Sequence, residues 1–579
     1  MENIRLYFSN RENINRLINR WDILLLILLF SILFVLGWTG KHMATPYLIG
    51  EPMPISLEPS ILPFYASRTV LRMFIALLFS LIFTLIFGSL AAKNRHAERF
   101  IIPGLDILQS VPVLSFLAIT ITGFIQLFPG SLLGPECACI FSIFTAQVWN
   151  ITFSFYQSLK SVPPDLIEAA EIFQLSAWQR FWKIEVPYSM PGLLWNMMVS
   201  MSASWFFVVL SETIIVAHQS IQLPGIGSYI AQAIQKHQLR PVGYSILTMI
   251  VVIFLYDQIL FRPLIAWSEK FKMEQSPDEE EYHSWLVNWL RSSQLIKQLN
   301  IQLSKLTNNF IQSPLFRFKK SASRKTINEH HQKVLDLVWN GIILVIIAIS
   351  SYLLLHYILS GLKLHEIVHV LLLGTATATR VMVAILLSSI IWIPIGVWIG
   401  LRPSWAQKIQ PIIQFFAAFP ANLVYPLFVI MIVQFHLNVE IWITPLMILG
   451  AQWYILFNVI AGASLIPRDL YLVADNFGLK GWQWWKRLAL PGIFPFYITG
   501  AITAAGGAWN ASIVTEWVSW GDQTLRATGL GEYIQASTIS GDFPKIALGT
   551  SIMCMYVVTF NHLIWRPLYR FALDRFNLN

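Results

Sequence analysis

Apolar residues gather into twelve long windows, at about 22–38, 67–92, 101–128, 138–159, 188–217, 242–267, 335–359, 370–400, 408–435, 440–463, 492–520 and 545–571. A helix of roughly 20 apolar residues crosses the hydrocarbon of a bilayer. In lipid, a helix meets its backbone hydrogen bonds within its own segment. The pattern therefore predicts an all-α integral membrane protein with 12 transmembrane helices. An even span number places both chain ends on one face, and the charges agree. Lys93, Arg95, Arg99, Arg180, Lys183, Lys270, Lys272, Arg402, Lys408, Arg468, Lys480, Lys486 and Arg487 fall in loops of that face. The opposite loops hold fewer, Lys41, Lys236, Arg240, Lys363, Arg526 and Lys545. Basic loops stay cytoplasmic, so both termini are expected inside. Residues 1–20 carry Arg5, Arg11, Arg16 and Arg20 ahead of the first window, and Gly37–His42 offers no small-residue cleavage pattern. The first window is thus expected to remain as a span.

The windows repeat. The stretch from Glu168 to Pro187 returns as Leu472 to Pro491 at an offset of 304, which also carries Trp149 onto Trp453, Trp205 onto Trp509 and Glu212 onto Glu516. The same offset maps Gly225 and Gly227 onto Gly529 and Gly531, and Arg262-Pro263 onto Arg566-Pro567. Upstream the offset is 308, pairing Arg72 with Arg380, Gly88 with Gly396, Pro103 with Pro411 and Pro112 with Pro420. A difference of four residues must fall between Pro112 and Trp149. The chain thus reads as two homologous six-helix halves, 1–268 (core 67–267) and 335–579 (core 375–571). Transporters commonly place their pathway at such a repeat interface. The linker between them, 269–334, is polar and expected to be cytoplasmic. It holds Pro277-Asp-Glu-Glu-Glu281 and a stretch with Trp285, Leu286, Trp289 and Leu290 at helical spacing. That stretch suits a helix lying on the membrane surface, and a tether is the simpler alternative.

Composition narrows the class further. Charged residues make up 12% and hydrophobic ones 55%, against about 25% charged in soluble domains. The net charge of +9 is accounted for by the cytoplasmic loops, and no basic face on a soluble domain points to nucleic acid. Three cysteines, Cys137, Cys139 and Cys554, form neither a disulfide framework nor a four-ligand metal site. No Gly-x-x-x-x-Gly-Lys-Ser/Thr sequence is present, so ATP chemistry is not expected on this chain. Gly225-x-Gly227 and Gly529-x-Gly531 lack the strand-to-helix setting of a dinucleotide site. Each is expected to make a tight outer turn with positive φ.

Each half carries about twenty residues on the cytoplasmic side between its fourth and fifth windows. The segment opens at Pro163-Pro164 or Pro467 and closes at Pro187 or Pro491. Proline suits a helix start, and the interior reads as a short amphipathic helix. Its small residues Ala169, Ala170 and Ala474 are expected to let another protein approach closely; the alternative is an interfacial helix serving its own chain. Glu168-Ala169-Ala170, the position near Gln174 and Gly478, and the closing proline resemble the EAA loop of binding-protein-dependent ABC importer permeases. The tryptophan, glutamate and Gly-x-Gly that follow are similar to the nitrate/taurine-type branch. The duplication looks like that of the fused permeases for anions. The resemblance covers about 67–267 and 375–571. It departs at Gln174, where the family has glycine, and at Leu472, where it has glutamate.

The resemblance implies the transmembrane subunit of an ATP-driven importer in a bacterial cytoplasmic membrane, without enzymatic activity or cofactor of its own. ATP and Mg would act on separate ATPase subunits, expected to number two, and an extracytoplasmic binding protein would deliver a small solute such as nitrate, bicarbonate or a sulfonate. The coupling residues it implies are Glu168, Ala169, Ala170, Gln174, Ala474, Asp475 and Gly478. A secondary transporter with repeated halves is the competing class, but it gives the doubled loops no role. Intramembrane charges are functional candidates. Arg72 and Arg380 near the outer ends of their spans stand level with Glu212 and Glu516. They are expected to pair, or to meet an anion bidentately. Trp205, Trp509 and Asn510, at mid-depth, are candidates for the pathway or for ordinary packing.

Overall fold

The computed structural model describes residues 30–31, 37–41, 43, 45–46, 54–216, 219–271, 286, 294–312, 329–521 and 523–576. In the first half α1 (Pro59–Lys93), α2 (Arg95–Ser110), α3 (Val113–Leu127), α4 (Leu133–Lys160), α5 (Pro164–Ile172) and α6 (Ala177–Ser211) run to a hairpin of β1 (Thr213–Val216) and β2 (Gln219–Gln222). Helices α7 (Ile226–Gln235) and α8 (Leu239–Ser268) complete it. After α9 (Gln294–Gln312) and α10 (Glu329–Gly361), the second half repeats the order. It comprises α11 (Leu364–Gly400), α12 (Pro403–Ala418), α13 (Tyr425–Gln434), α14 (Val439–Ser464), α15 (Arg468–Asn476), α16 (Gly481–Thr515), β3 (Trp517–Trp520), β4 (Gln523–Arg526), α17 (Leu530–Ser540) and α18 (Phe543–Ala572).

Among the described residues nine helices are long and apolar enough to cross a membrane: α1, α4, α6, α8, α10 (from Leu337), α11, α14, α16 and α18. The all-α membrane architecture is therefore as expected, but two of the twelve windows are not single spans. Window 101–128 breaks at Val111-Pro112, between α2 and α3, and window 408–435 breaks at Phe419-Pro420, between α12 and α13. The residue before a proline is pushed out of the helical region, and Val111 and Phe419 are both extended. Window 22–38 lies largely outside the described residues, as does the tryptophan-leucine stretch of the linker apart from Leu286.

Within each half three helices form the core: α1, α4 and α6 in the first, α11, α14 and α16 in the second. The second trio packs through Ala501, Ala504 and Ala508 on one face of α16, all buried. Small residues let membrane helices approach closely where lipid supplies no hydrophobic drive. The first half fills the equivalent surface with Met197, Ser200 and Ser204.

The halves also interlock. Helix α3 packs on α4 of its own half and reaches across to α16, α17 and α18, while α12 packs on α11 and α14 of its own half and reaches α6 and α8. Polar bonds fix both crossings. Val113 N donates to Asn510 Oδ1 at 2.9 Å, and Thr550 Oγ1 donates to Ser115 O at 3.2 Å. Asn422 Nδ2 donates to Phe206 O at 3.5 Å. The hairpins cross as well: β1 touches α17, and Trp520 at the tip of β3 meets the His237 ring edge-on at 5.9 Å.

Candidate functional site

Beneath each hairpin lies a buried ionic cluster built on the Gly-x-Gly turn. In the first half, α1 supplies Arg68 and Arg72, one turn apart, and Thr69 beside them, all three buried. Arg72 Nη1 donates to Glu212 Oε1 at 2.6 Å, and its Nε donates to Glu136 Oε2 at 2.6 Å. Arg68 Nη2 donates to Glu136 Oε1, also at 2.6 Å. The other bonds to Glu212 come from Thr69 Oγ1 at 2.6 Å and Gly227 N at 2.7 Å. Two arginines thus face two glutamates, and Arg72, Glu136 and Glu212 have fully buried side chains.

The second half repeats the scaffold with one cation fewer. Arg380 Nη1 donates to Glu516 Oε1 at 2.9 Å, Thr377 Oγ1 donates to the same atom at 2.9 Å, and Gly531 N donates to Glu516 Oε2 at 2.7 Å. Arg380 Nη2 also pairs with Glu440, whose Oε1 accepts from Thr528 N at 3.0 Å and from Thr528 Oγ1 at 2.9 Å. Ala376 stands where the first half has Arg68, and the Glu440 side chain is 45% exposed. Sequence reasoning missed Arg68, Thr69, Thr377, Glu136 and Glu440. Offset 308 relates the two threonines and offset 304 the two glutamates, so the repeat itself held the signal.

The glycines serve this cluster differently from the expectation. Gly225 and Gly529 both have φ of −179°, an extended geometry open to any residue, and neither glycine pair has positive φ. The reason for glycine is proximity. A Cβ on Gly225 would sit 2.3 Å from the Glu212 carboxyl carbon, and one on Gly227 would sit 2.1 Å from Val209 O. The second half repeats this at 2.2 Å from Glu516 Oε2 and 2.3 Å from Ser512 O.

At the other end of the spans, α5 and α15 form the two loops picked out by the repeat. Each ends in a Schellman motif. Leu175 N donates to Ala170 O at 3.0 Å and Gln174 N to Glu171 O at 3.0 Å; Leu479 N donates to Ala474 O and Gly478 N to Asp475 O, both at 2.9 Å. The motif needs a left-handed residue, and Gln174 (φ 51°) and Gly478 (φ 62°) occupy it. The family glycine position is thus kept in conformation, and in the first half glutamine bears it. The small residues are not the outward surface. Ala170 and Ala474 are buried against their own chain, because a helix seated on the membrane core needs small side chains on its inner face. Exposed instead are Ile172 and Phe173 on one loop and Leu472, Val473 and Phe477 on the other. Glu168, Gln174, Asp475 and Gly478 are also exposed, and Ala169 is half-buried.

Between the halves lies a cavity of about 480 Å³, lined by α4, α6, α12, α14 and α16. It reaches Ser464, the last residue of α14, next to the second loop, and no described hairpin residue lines it. The lining holds no charged residue. Of the expected pathway residues only Asn510 is part of it. Arg72, Arg380, Glu212 and Glu516 lie in the clusters. Trp205 is fully buried, its ring 5.6 Å from Tyr256, and Trp509 packs 6.3 Å from Tyr556 and Phe560.

Comparison with known proteins places this geometry. The chain is 26% identical over 189 residues to a nitrate import permease protein of Leptolyngbya laminosa, covering 33% of this chain and 64% of that one. It is 23% identical over 207 residues to a putative aliphatic sulfonates transport permease protein of Bacillus subtilis (35% and 70%). It is 30% identical over 159 residues to a bicarbonate transport system permease protein of Synechococcus elongatus (28% and 54%). The matched region thus spans between about half and 70% of these relatives' lengths. All three are transport components rather than enzymes. The family described as "Binding-protein-dependent transport system inner membrane component" matches twice, at residues 84–261 and 392–566, together more than half of the chain. These two matches carry the glutamates and Gly-x-Gly turns of both ionic clusters and both Schellman-ended loops, and the chain belongs to that family as an integral inner-membrane ABC transporter permease with an internal duplication.

Proposed function

We propose that this chain is the membrane subunit of an ATP-driven importer of a small solute. The single observation that carries the reading is the pair of loops α5 and α15. Each presents exposed apolar tips, Phe173 and Phe477 foremost, on a helix locked at its end by the same hydrogen bonds. Exposed apolar side chains on a rigid cytoplasmic element are apt for a protein partner. Two ATPase subunits, one per loop, would hold the ATP and Mg. A binding protein would deliver solute over the hairpins, with both termini and the 269–334 tether inside. The halves would then alternate about the cavity, which meets the loop end in the present conformation. Nitrate, bicarbonate and sulfonates are the solutes named for the relatives, so a small anion is the class carried over from them. The arginines suited to an oxyanion are held by Glu136, Glu212, Glu440 and Glu516, so such a solute would pass among neutral groups. The loop residues are the coupling elements in this reading, and the clusters brace the outer ends.

The test is co-purification of the full chain with its ATPase, followed by ATP hydrolysis in nanodiscs. The double variant Phe173→Asp, Phe477→Asp should lose both while keeping the membrane fold by circular dichroism and gel filtration. Ala170→Arg should instead disrupt the loop itself. Normal ATPase binding and transport in the double variant would overturn the importer reading in favour of a secondary transporter.

A further inference from the structure

Several hydroxyl and amide groups around the central cavity share one property that composition does not reveal. They already donate hydrogens within the protein, most of them to their own helix. Ser202 Oγ donates to Met198 O, Thr499 Oγ1 to Pro495 O and Thr503 Oγ1 to Thr499 O, each at 3.0 Å. Asn458 Nδ2 donates to Tyr454 O at 2.8 Å, and Asn196 Nδ2 donates to Ser154 Oγ at 2.8 Å and to Gly192 O at 3.1 Å. What these side chains leave for a solute is chiefly oxygen lone pairs. The rest of the wall is dominated by aromatic rings, Trp195, Phe206, Phe207, Trp453, Tyr454 and Phe457 among them. An aromatic face is the negative side of its quadrupole.

Lone pairs and ring faces attract the same kind of ligand. Resting on the importer reading and narrowing its solute, the geometry points to a small organic solute bearing an ammonium or N–H-rich group, with or without an acidic group, in preference to a bare inorganic oxyanion. An ammonium or heterocyclic N–H donates to the oxygens of Asn196, Asn458 and Ser202 and stacks on Trp195 or Trp453 by cation–π attraction. A bare oxyanion wants cationic donors, and no described Lys, Arg or His lines the cavity, whose remaining N–H donors, the Asn150 and Gln414 amides and the Trp195 and Trp453 indoles, are neutral. The absence of any lining carboxylate keeps the cation from being held fast, which suits a site that must release its cargo. The wall is also unequal: Phe206 and Phe207 of the first half stand where the second has Asn510 and Ala511. A planar group therefore has one aromatic side and one smaller side to settle between.

The probe is radiolabelled benzylamine, a cation at neutral pH, bound at equilibrium to the full-length chain in phosphatidylcholine nanodiscs without any ATPase. Benzoate, its anionic counterpart in shape, and bicarbonate serve as competitors. Saturable binding that neither anion displaces at equal concentration is expected. Trp195→Leu should weaken it about tenfold, the worth of one good cation–π contact, and Asn458→Asp should tighten it. The gain in Asn458→Asp guards against a variant that merely fails to fold. Displacement by benzoate or bicarbonate as effective as by unlabelled benzylamine, no saturable binding, or indifference to both substitutions would overturn the inference. Because no ATPase is present, this outcome is separate from the docking experiment that tests the importer reading.

Discussion

Glu136→Gln and Glu440→Gln change the same repeat position, yet they should differ severalfold in cost. Glu136 is fully buried and pairs with both Arg68 and Arg72. Its neutralisation leaves two buried guanidiniums facing Glu212 alone. Each charge pair at about 4 Å is worth about 4 kcal/mol at an effective dielectric near 20. Stranding one member of a buried pair typically costs about 3–5 kcal/mol net. Glu440 is 45% exposed, and Arg380 keeps Glu516 at 2.9 Å when Glu440 is neutral. One cation then faces one anion, and the loss should be at most about 1 kcal/mol, as for exposed pairs. Thermal unfolding of the purified chain in detergent, followed by tryptophan fluorescence, reads the difference. At roughly 2–4 °C per kcal/mol for a unit the size of one half, Glu136→Gln should lower the midpoint by about 6–20 °C and Glu440→Gln by no more than about 4 °C. Equal shifts, or a larger one for Glu440→Gln, would refute the assignment of the first cluster as a balanced, sealed quartet.

Gly225→Ala and Gly529→Ala should each cost about 3 kcal/mol or more by displacing a buried carboxylate, whereas Gly104→Ala, with open space around it, should be near neutral in the same melt. Gln174→Gly should stabilise the first loop by about 1 kcal/mol, the usual cost of a left-handed non-glycine residue, and Gly478→Gln should destabilise the second by as much; hydrogen exchange of the loop amides checks both. The Tyr156 hydroxyl, then the Lys160 ammonium, hold the Glu98 carboxyl below its ordinary range. Its contribution is therefore present above the ordinary carboxylate pKa and lost as pH falls through the lowered one, so Glu98→Gln should flatten the acid side of the stability–pH curve; an unchanged acid limb would argue against that tie.

The two halves were legible because residues that recur at a fixed offset need no three-dimensional knowledge. The break at Pro112 and at Pro420 was not, since hydropathy alone does not tell one long apolar helix from two short ones meeting at a bend. Arg72 and Glu212 were readable as isolated charges in apolar runs. Glu136 and Glu440 were harder, because they follow the point where the offset changes from 308 to 304 and look like loop residues by sequence. Ala170 and Ala474 illustrate a different limit: small residues signal close approach but not from which side. The informative signal there was Phe173 and Phe477, large apolar residues on a segment that composition places outside the membrane.

The reach of α3 and α12 across the halves has a consequence for how the protein is made. Ser115 accepts from Thr550, 435 residues later in the chain. At ribosomal speeds of about 5–20 residues per second, α3, already packed on α4, waits roughly 20–90 s for its partners in the second half. During that time the side of Leu117 and Ile121 that Ile546 will cover must be screened by lipid, by an insertion chaperone or by a neighbouring copy. A second polypeptide emerging nearby could supply the same helices, so crowded synthesis favours dimers whose halves have changed partners. Fusing the two halves through one tether raises the local concentration of the right partner and biases the late step toward closure within the chain.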